Sequence, residues 1–245
     1  MNNETANLTF GKITLETCCG SFEDARLAYE AGVDRIELNS GLELGGLTPS
    51  LGAVQLCQSL FKIPLIAMIR PRGGGFCYSS LEFEQMLKDA ELILEAGAQG
   101  LAFGILREDG SLDEERNGRL AHLVAQEKGR EAVFHMAFDV CTDDAIAALT
   151  VLKDLGITRL LTTGRKANAL AGAEHLRDYI TANQIEILPG GGIRTNNAAE
   201  VLKCTKTTQL HGRYHIERDG SQVIDGAGLK EYVKYIRFLE SASYY

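Results

Sequence analysis

The sequence predicts a (β/α)₈ TIM-type barrel, and three observations carry that reading. Eight short apolar runs alternate with eight amphipathic segments along 245 residues, the usual length for this fold. A residue pair ending in glycine recurs between a helical segment and the next apolar run, at Ala31-Gly32, Ala96-Gly97 and Leu155-Gly156, which is the punctuation of a βα repeat. No linker or low-complexity stretch divides the chain, so residues 1–245 read as a single domain. Strands separated by helices of this length must be parallel with right-handed crossovers, and eight of each favours a closed barrel over an open doubly wound sheet.

The elements follow in order. Ile13–Cys19 is the first strand, and Ser21 is placed to cap the helix Phe22–Ala31, because a serine hydroxyl satisfies a free amide of the first turn. Arg35–Asn39 and Leu65–Pro71 are the next strands, with the helix Leu51–Phe61 between them. Leu81–Ala96 is a long helix stopped by Gly97 before the strand Gly100–Gly104. Asp113–Glu127, Ala132–Asp139, Asp143–Leu155 and Arg159–Thr163 continue the alternation, followed by Ala173–Ala182, Glu186–Pro189, Asn196–Lys203 and Thr208–His211. Arg213–Gly226 reads as an excursion before the last helix, Leu229–Glu240.

Composition narrows the function. Apolar residues make up 45% of the chain and charged ones 24%, enough to bury a sizeable core. A net charge of −8 excludes a general binder of nucleic acid or anionic membrane, which needs a cationic face, yet leaves room for a local arginine cluster. No apolar run approaches the roughly 18–20 residues of a membrane span. Met1–Thr9 is polar and lacks the pattern of a secretory signal. Six cysteines without framework spacing read as reduced thiols, and so as a cytoplasmic protein.

Strand parity assigns the barrel interior, because alternate side chains face the axis and the surrounding helices. With Ile13 and Leu15 turned to the helices, Thr14, Glu16 and Cys18 point inward; with Ile36 and Leu38 turned outward, Glu37 and Asn39 do. The third strand brings in Ile66, Met68, Arg70 and Arg72, and the fifth His135 and Asp139, leaving Phe134, Met136 and Phe138 for the outer layer. Barrel interiors are normally filled by branched apolar side chains, and a buried unpaired charge costs several kcal/mol. These residues therefore either satisfy one another, Glu16 and Glu37 with Arg70 and Arg72, or bind something at the rim where barrel ligands sit.

Their chemistry suggests an anionic small molecule. Arg70 and Arg72 suit bidentate contact with carboxylate or phosphate. Glu16 and Glu37, from neighbouring strands, form a candidate acid and base. His135 is a candidate proton carrier with Asp139 to orient it, and His211 is a further candidate at the end of the last strand. Gly190, Gly191 and Gly192 follow the seventh strand, where barrels commonly bind phosphate through backbone amides, and Gly164 follows the sixth; both read equally as tight turns. No lysine falls at an inward strand end, which argues against Schiff-base chemistry. For a metal, Cu(I) prefers thiolates; Cys18 is the inward thiol and Cys77, in the loop after the third strand, is a speculative second ligand. No zinc-type spacing occurs.

The motifs Asp34-Arg35-Ile36-Glu37-Leu38, Gly45-Gly46-Leu47-Thr48-Pro49-Ser50, Met68-Ile69-Arg70-Pro71-Arg72-Gly73-Gly74, Phe134-His135 with Ala137-Phe138-Asp139, Leu161-Thr162-Thr163-Gly164, Pro189-Gly190-Gly191-Gly192 and His211-Gly212 resemble the CutC family over nearly the whole chain. The resemblance implies a cytoplasmic barrel associated with copper homeostasis, copper as a bound ion, and a homodimer as a family-level expectation. Where the family typically has a cysteine after Glu-Leu in its second strand, this chain has Asn39, so a copper pair between strand-one and strand-two cysteines keeps only Cys18. Met136, Gly75 and Thr163 also stand where the family usually has Arg, Asp and Ser. The two glutamates, two arginines, His135 and Asp139 remain.

Overall fold

The computed structural model describes residues 10–218 and 220–241; the polar stretch Met1–Thr9 lies outside them. Eight parallel strands form one sheet: β1 (Thr14–Cys19), β2 (Arg35–Leu38), β3 (Leu65–Met68), β4 (Gly100–Phe103), β5 (Glu131–Phe134), β6 (Arg159–Thr162), β7 (Glu186–Pro189) and β8 (Gln209–Gly212). The order β7-β6-β5-β4-β3-β2-β1-β8 runs around a nearly closed barrel. At the seam β7 and β8 lie side by side, and Gln209 Nε2 donates to Ile187 O at 3.3 Å.

Seven helices connect the strands: α1 (Phe22–Ala31), α2 (Leu51–Leu60), α3 (Ser80–Glu95), α4 (Glu114–Ala125), α5 (Ala145–Asp154), α6 (Ala173–Ala182) and α7 (Ala198–Thr205), and α8 (Gly226–Ser241) follows the last strand. Local chemistry sets their starts. Ser21 accepts from Asp24 N at 3.0 Å, Asp144 from Ala147 N at 2.9 Å, and Ser79 with Glu82 forms a reciprocal capping box.

Two cores result. The outward faces of the strands, among them Ile13, Leu15, Ile36, Leu38, Leu101, Phe103 and Phe134, pack against the helices. A smaller cluster of Ile66, Met68, Ala102, Val133, Leu161 and Leu188 fills the barrel axis. Each Leu, Ile, Val, Met or Phe among them contributes about 1.5–3 kcal/mol by leaving water.

Three sequence expectations change here. β5 ends at Phe134, and Met136–Val140 forms a 3₁₀ turn. Two-residue parity therefore fails beyond His135: Met136 joins the axial cluster instead of the outer layer. β3 likewise ends at Met68, and two residues on the Arg70 amide leaves the ladder to donate to Thr48 Oγ1 at 2.9 Å. The excursion contains a hairpin, β9 (His215–Arg218) with β10 (Ser221–Ile224). Buried Asp24 ties it to α1, accepting from Gly20 N at 3.0 Å and Ile224 N at 2.9 Å, with His215 Nε2 3.3 Å away. His215 is thus engaged away from His211.

Candidate functional site

The barrel interior is polar at both ends. At the strand N-termini, Arg159 pairs with Glu131 and with Glu186, the latter at 2.8 Å. One step higher, Arg35 pairs with Glu16 and donates to Gln209 Oε1 at 3.1 Å. Arg35 is an inward residue that sequence reasoning passed over, although it shares the parity of Glu37.

Register separates the two glutamates. Glu16 lies opposite Arg35 and His211, whereas Glu37 lies opposite Cys18, so the pair does not share one level. Burial would raise the Glu16 carboxyl, but the Arg35 guanidinium and the His211 ring outweigh it and hold the group far below the carboxylate range. Glu16 is a fixed anion that orients His211, rather than an acid facing Glu37. Desolvation pushes the Glu37 carboxyl up; the His211 charge opposes this and the Glu16 charge adds to it.

Above the axial cluster opens a cavity of about 350 Å³, lined on one side by Cys18, Glu37, Asn39 and His211. Asn39 Nδ2 donates to Glu37 Oε2 at 3.0 Å and lies 3.5 Å from Cys18 Sγ. His211 Nδ1 lies 2.7 Å from Glu16 Oε1, and its Nε2 is 4.0 Å from Glu37 Oε2. Cys18 Sγ, a Glu37 oxygen and a His211 ring nitrogen fall within 4.8 Å of one another, the only such donor set found among the described residues. Burial, with the Glu37 charge adding, pushes the Cys18 thiol up, so it rests protonated. For His211 burial works downward, but the Glu37 charge and the bond to Glu16 prevail and raise it.

The other sequence candidates take structural posts. Arg70 binds the rim loops together, donating through Nη1 to Gly45 O at 2.9 Å and through Nη2 to Gly74 O at 2.7 Å, and stacks on Phe76. Arg72 lies outside the cavity; it meets Glu82 at 2.5 Å and Cys77 O at 2.8 Å, with its side chain 41% exposed. Cys77 is exposed and apart from the donor cluster.

His135 lines the cavity, but its Nδ1 accepts from Ala137 N at 3.1 Å, which places the proton on Nε2. Burial first, then the Arg70 charge, lower it from 6.5 to about 3, so it is neutral at physiological pH and not the expected proton carrier. A Cβ on Gly104 would come within 2.6 Å of this ring, so that position admits only glycine. Asp139 does not orient His135. It accepts from the Thr162 hydroxyl, from Thr163 N at 3.0 Å and from Arg165 N at 2.9 Å, fastening the loop after β6.

Gly164 belongs to that same loop, away from the cavity: its N donates to Thr162 Oγ1 at 2.9 Å and its carbonyl meets His175. Gly190 N is spent on Thr162 O at 3.1 Å. Gly191 and Gly192 do line the cavity, as do Arg194 and Arg213, which the sequence reading missed. Arg213 carries a signal in hindsight, since it follows His211 by two residues. None of the described helices is long and apolar enough to cross a membrane.

Fold and site thus define a TIM-type barrel with a buried thiol–carboxylate–imidazole cluster at the strand C-termini. The CutC family model matches residues 13–216. A CutC family protein of Treponema denticola is 47% identical over 201 residues, 81% of this chain and 80% of its own. A human protein named copper homeostasis protein cutC homolog is 40% identical over 223 residues, 88% of this chain and 80% of its own. The crystal structure of a CutC protein from Streptococcus agalactiae superposes with a TM-score of 0.76 at 33% identity, covering 82% of this chain and 98% of that one. This chain belongs to the CutC family.

Proposed function

We propose that this protein serves copper homeostasis in the cytoplasm by holding Cu(I) at the barrel mouth on Cys18 and His211, with Glu37 beside them. The observation that supports this reading is the convergence of the three donor atoms within 4.8 Å. The donor chemistry fits: a thiolate and an imidazole are the softer ligands that Cu(I) selects, and a carboxylate is the harder one. Six free cysteines, with none paired, accord with a reducing compartment.

His211 is set up for the task. With its Nδ1 directed at Glu16, Nε2 is the nitrogen left to ligate, the second-shell arrangement common at metal-bound histidines. Asn39 stands 3.5 Å from the thiol and must release it. Because Cys18 rests as a thiol and His211 is raised, binding expels protons, and affinity climbs as pH rises.

Anaerobic Cu(I) titration against a competing chelator tests the reading. Near-unit stoichiometry that collapses in Cys18→Ser and weakens in His211→Gln is expected; binding indifferent to both substitutions overturns it.

A further inference from the structure

The cavity is far larger than an ion requires. Its volume of about 350 Å³ is roughly ten times the share of one water in the liquid, about 30 Å³, and lies in the range of small-molecule sites. The walls between its polar ends are apolar, formed by Met68, Phe76 and Leu161.

Among the described residues, three buried polar atoms on cavity-lining residues have no partner: Glu37 Oε1, His135 Nε2 and Arg70 Nε. Buried polar groups are nearly always satisfied, and leaving one unpaired costs about 1–3 kcal/mol. A ligand in the cavity can complete two of them, Glu37 Oε1 and His135 Nε2.

The charge balance fixes what kind. Arg70 is only 6% exposed, and all its bonds go to neutral carbonyls. Arg194 donates to its neighbour Ile193 O at 2.7 Å and stacks on Tyr214. Arg213 makes no hydrogen bond or ion pair among the described residues, and it lines the same cavity as Cys18. Among the described residues, three guanidinium groups therefore line the cavity without a carboxylate partner, and that of Arg70 is buried, where an unpaired cation is costly. The amides of Gly191 and Gly192, which also line the cavity, donate to no acceptor among the described residues. Each is a donor left free for an oxyanion in the cavity.

We infer that the cavity binds a small organic oxyanion, a phosphate monoester or carboxylate, seated between Arg213, Arg194 and the Gly191–Gly192 amides, with its apolar body against Met68, Phe76 and Leu161. A hydroxyl or amino group on that body donates to Glu37 Oε1, and an acceptor takes the His135 Nε2 proton. Unlike the seat expected from sequence, this one excludes Arg72 and uses Arg70 for charge alone. It stands independently of the Cu(I) reading.

The test is calorimetry on metal-free protein in chelator, with phenyl phosphate, benzoate and phenol as probes. Wild type is expected to bind phenyl phosphate or benzoate more tightly than phenol, with affinity falling at least tenfold in Arg213→Gln and unchanged in Lys88→Gln, a charge-matched change at an exposed position of α3. Preference for phenyl phosphate identifies a phosphate seat and preference for benzoate a carboxylate seat. Binding of neither anion at millimolar concentration, or equal losses in the two variants, overturns the inference. As no metal is present, either result leaves the Cu(I) reading to its own titration.

Discussion

Replacing His135 by Asn changes how stability responds to acid by an amount that follows from the site. His135 is buried against Phe76 and near the Arg70 charge, and its protonation is held down to about 3 from the ordinary 6.5. The unfolded chain takes up this proton as pH falls below 6.5, while the folded chain does not. Folded His135 therefore imposes no penalty above pH 6.5, and its penalty grows as pH falls towards 3. At about 1.4 kcal/mol per pH unit, pH 5 costs about 2 kcal/mol. Asn keeps an acceptor for the Ala137 amide and does not titrate. Urea unfolding of both proteins at pH 7.5 and pH 5 isolates the term, since every other group cancels in the comparison. The variant, though weaker at pH 7.5 from lost packing, is expected to lose about 2 kcal/mol less on acidification. Equal losses in the two proteins would refute the neutral, buried assignment.

Other changes separate structural posts from functional ones. Arg35→Met leaves the Glu16 carboxylate, 3% exposed, without its main counter-charge; urea unfolding should show a loss of about 3–5 kcal/mol, largely recovered by adding Glu16→Gln. Asp139→Asn weakens a carboxylate that fastens three donors, for about 1.5–3 kcal/mol by the same assay. Arg72→Ala, at a half-exposed pair with Glu82, should cost under about 1 kcal/mol and leave Cu(I) and anion titrations unchanged. Asn39→Cys places a second thiol beside Cys18 and should tighten Cu(I) binding at least tenfold, about 1.4 kcal/mol, read by chelator competition.

Strand–helix alternation was legible because it rests on local periodicity, and parity placed Cys18, Glu37, Asn39, Arg70 and His135 around the cavity mouth. What stayed hidden is long-range. The two-residue offset between β1 and β2 that seats Glu37 beside Cys18 instead of Glu16 depends on barrel register, to which neither strand's sequence points. The 3₁₀ turn after β5 breaks the alternation on which Asp139 and Met136 were assigned. Two further cavity-lining arginines lie beyond strand ends, at 194 and 213, where no periodicity points, whereas the conspicuous ones at 70 and 72 make their bonds to loop carbonyls and Glu82.

The most direct measurement is the anaerobic Cu(I) competition titration repeated at two pH values on wild type and Cys18→Ser, with metal content read on the same samples. One Cu(I) per chain, held more tightly at the higher pH and lost from the serine variant, is the expected result. Copper bound equally by both proteins, or by neither, contradicts a Cys18–Glu37–His211 site.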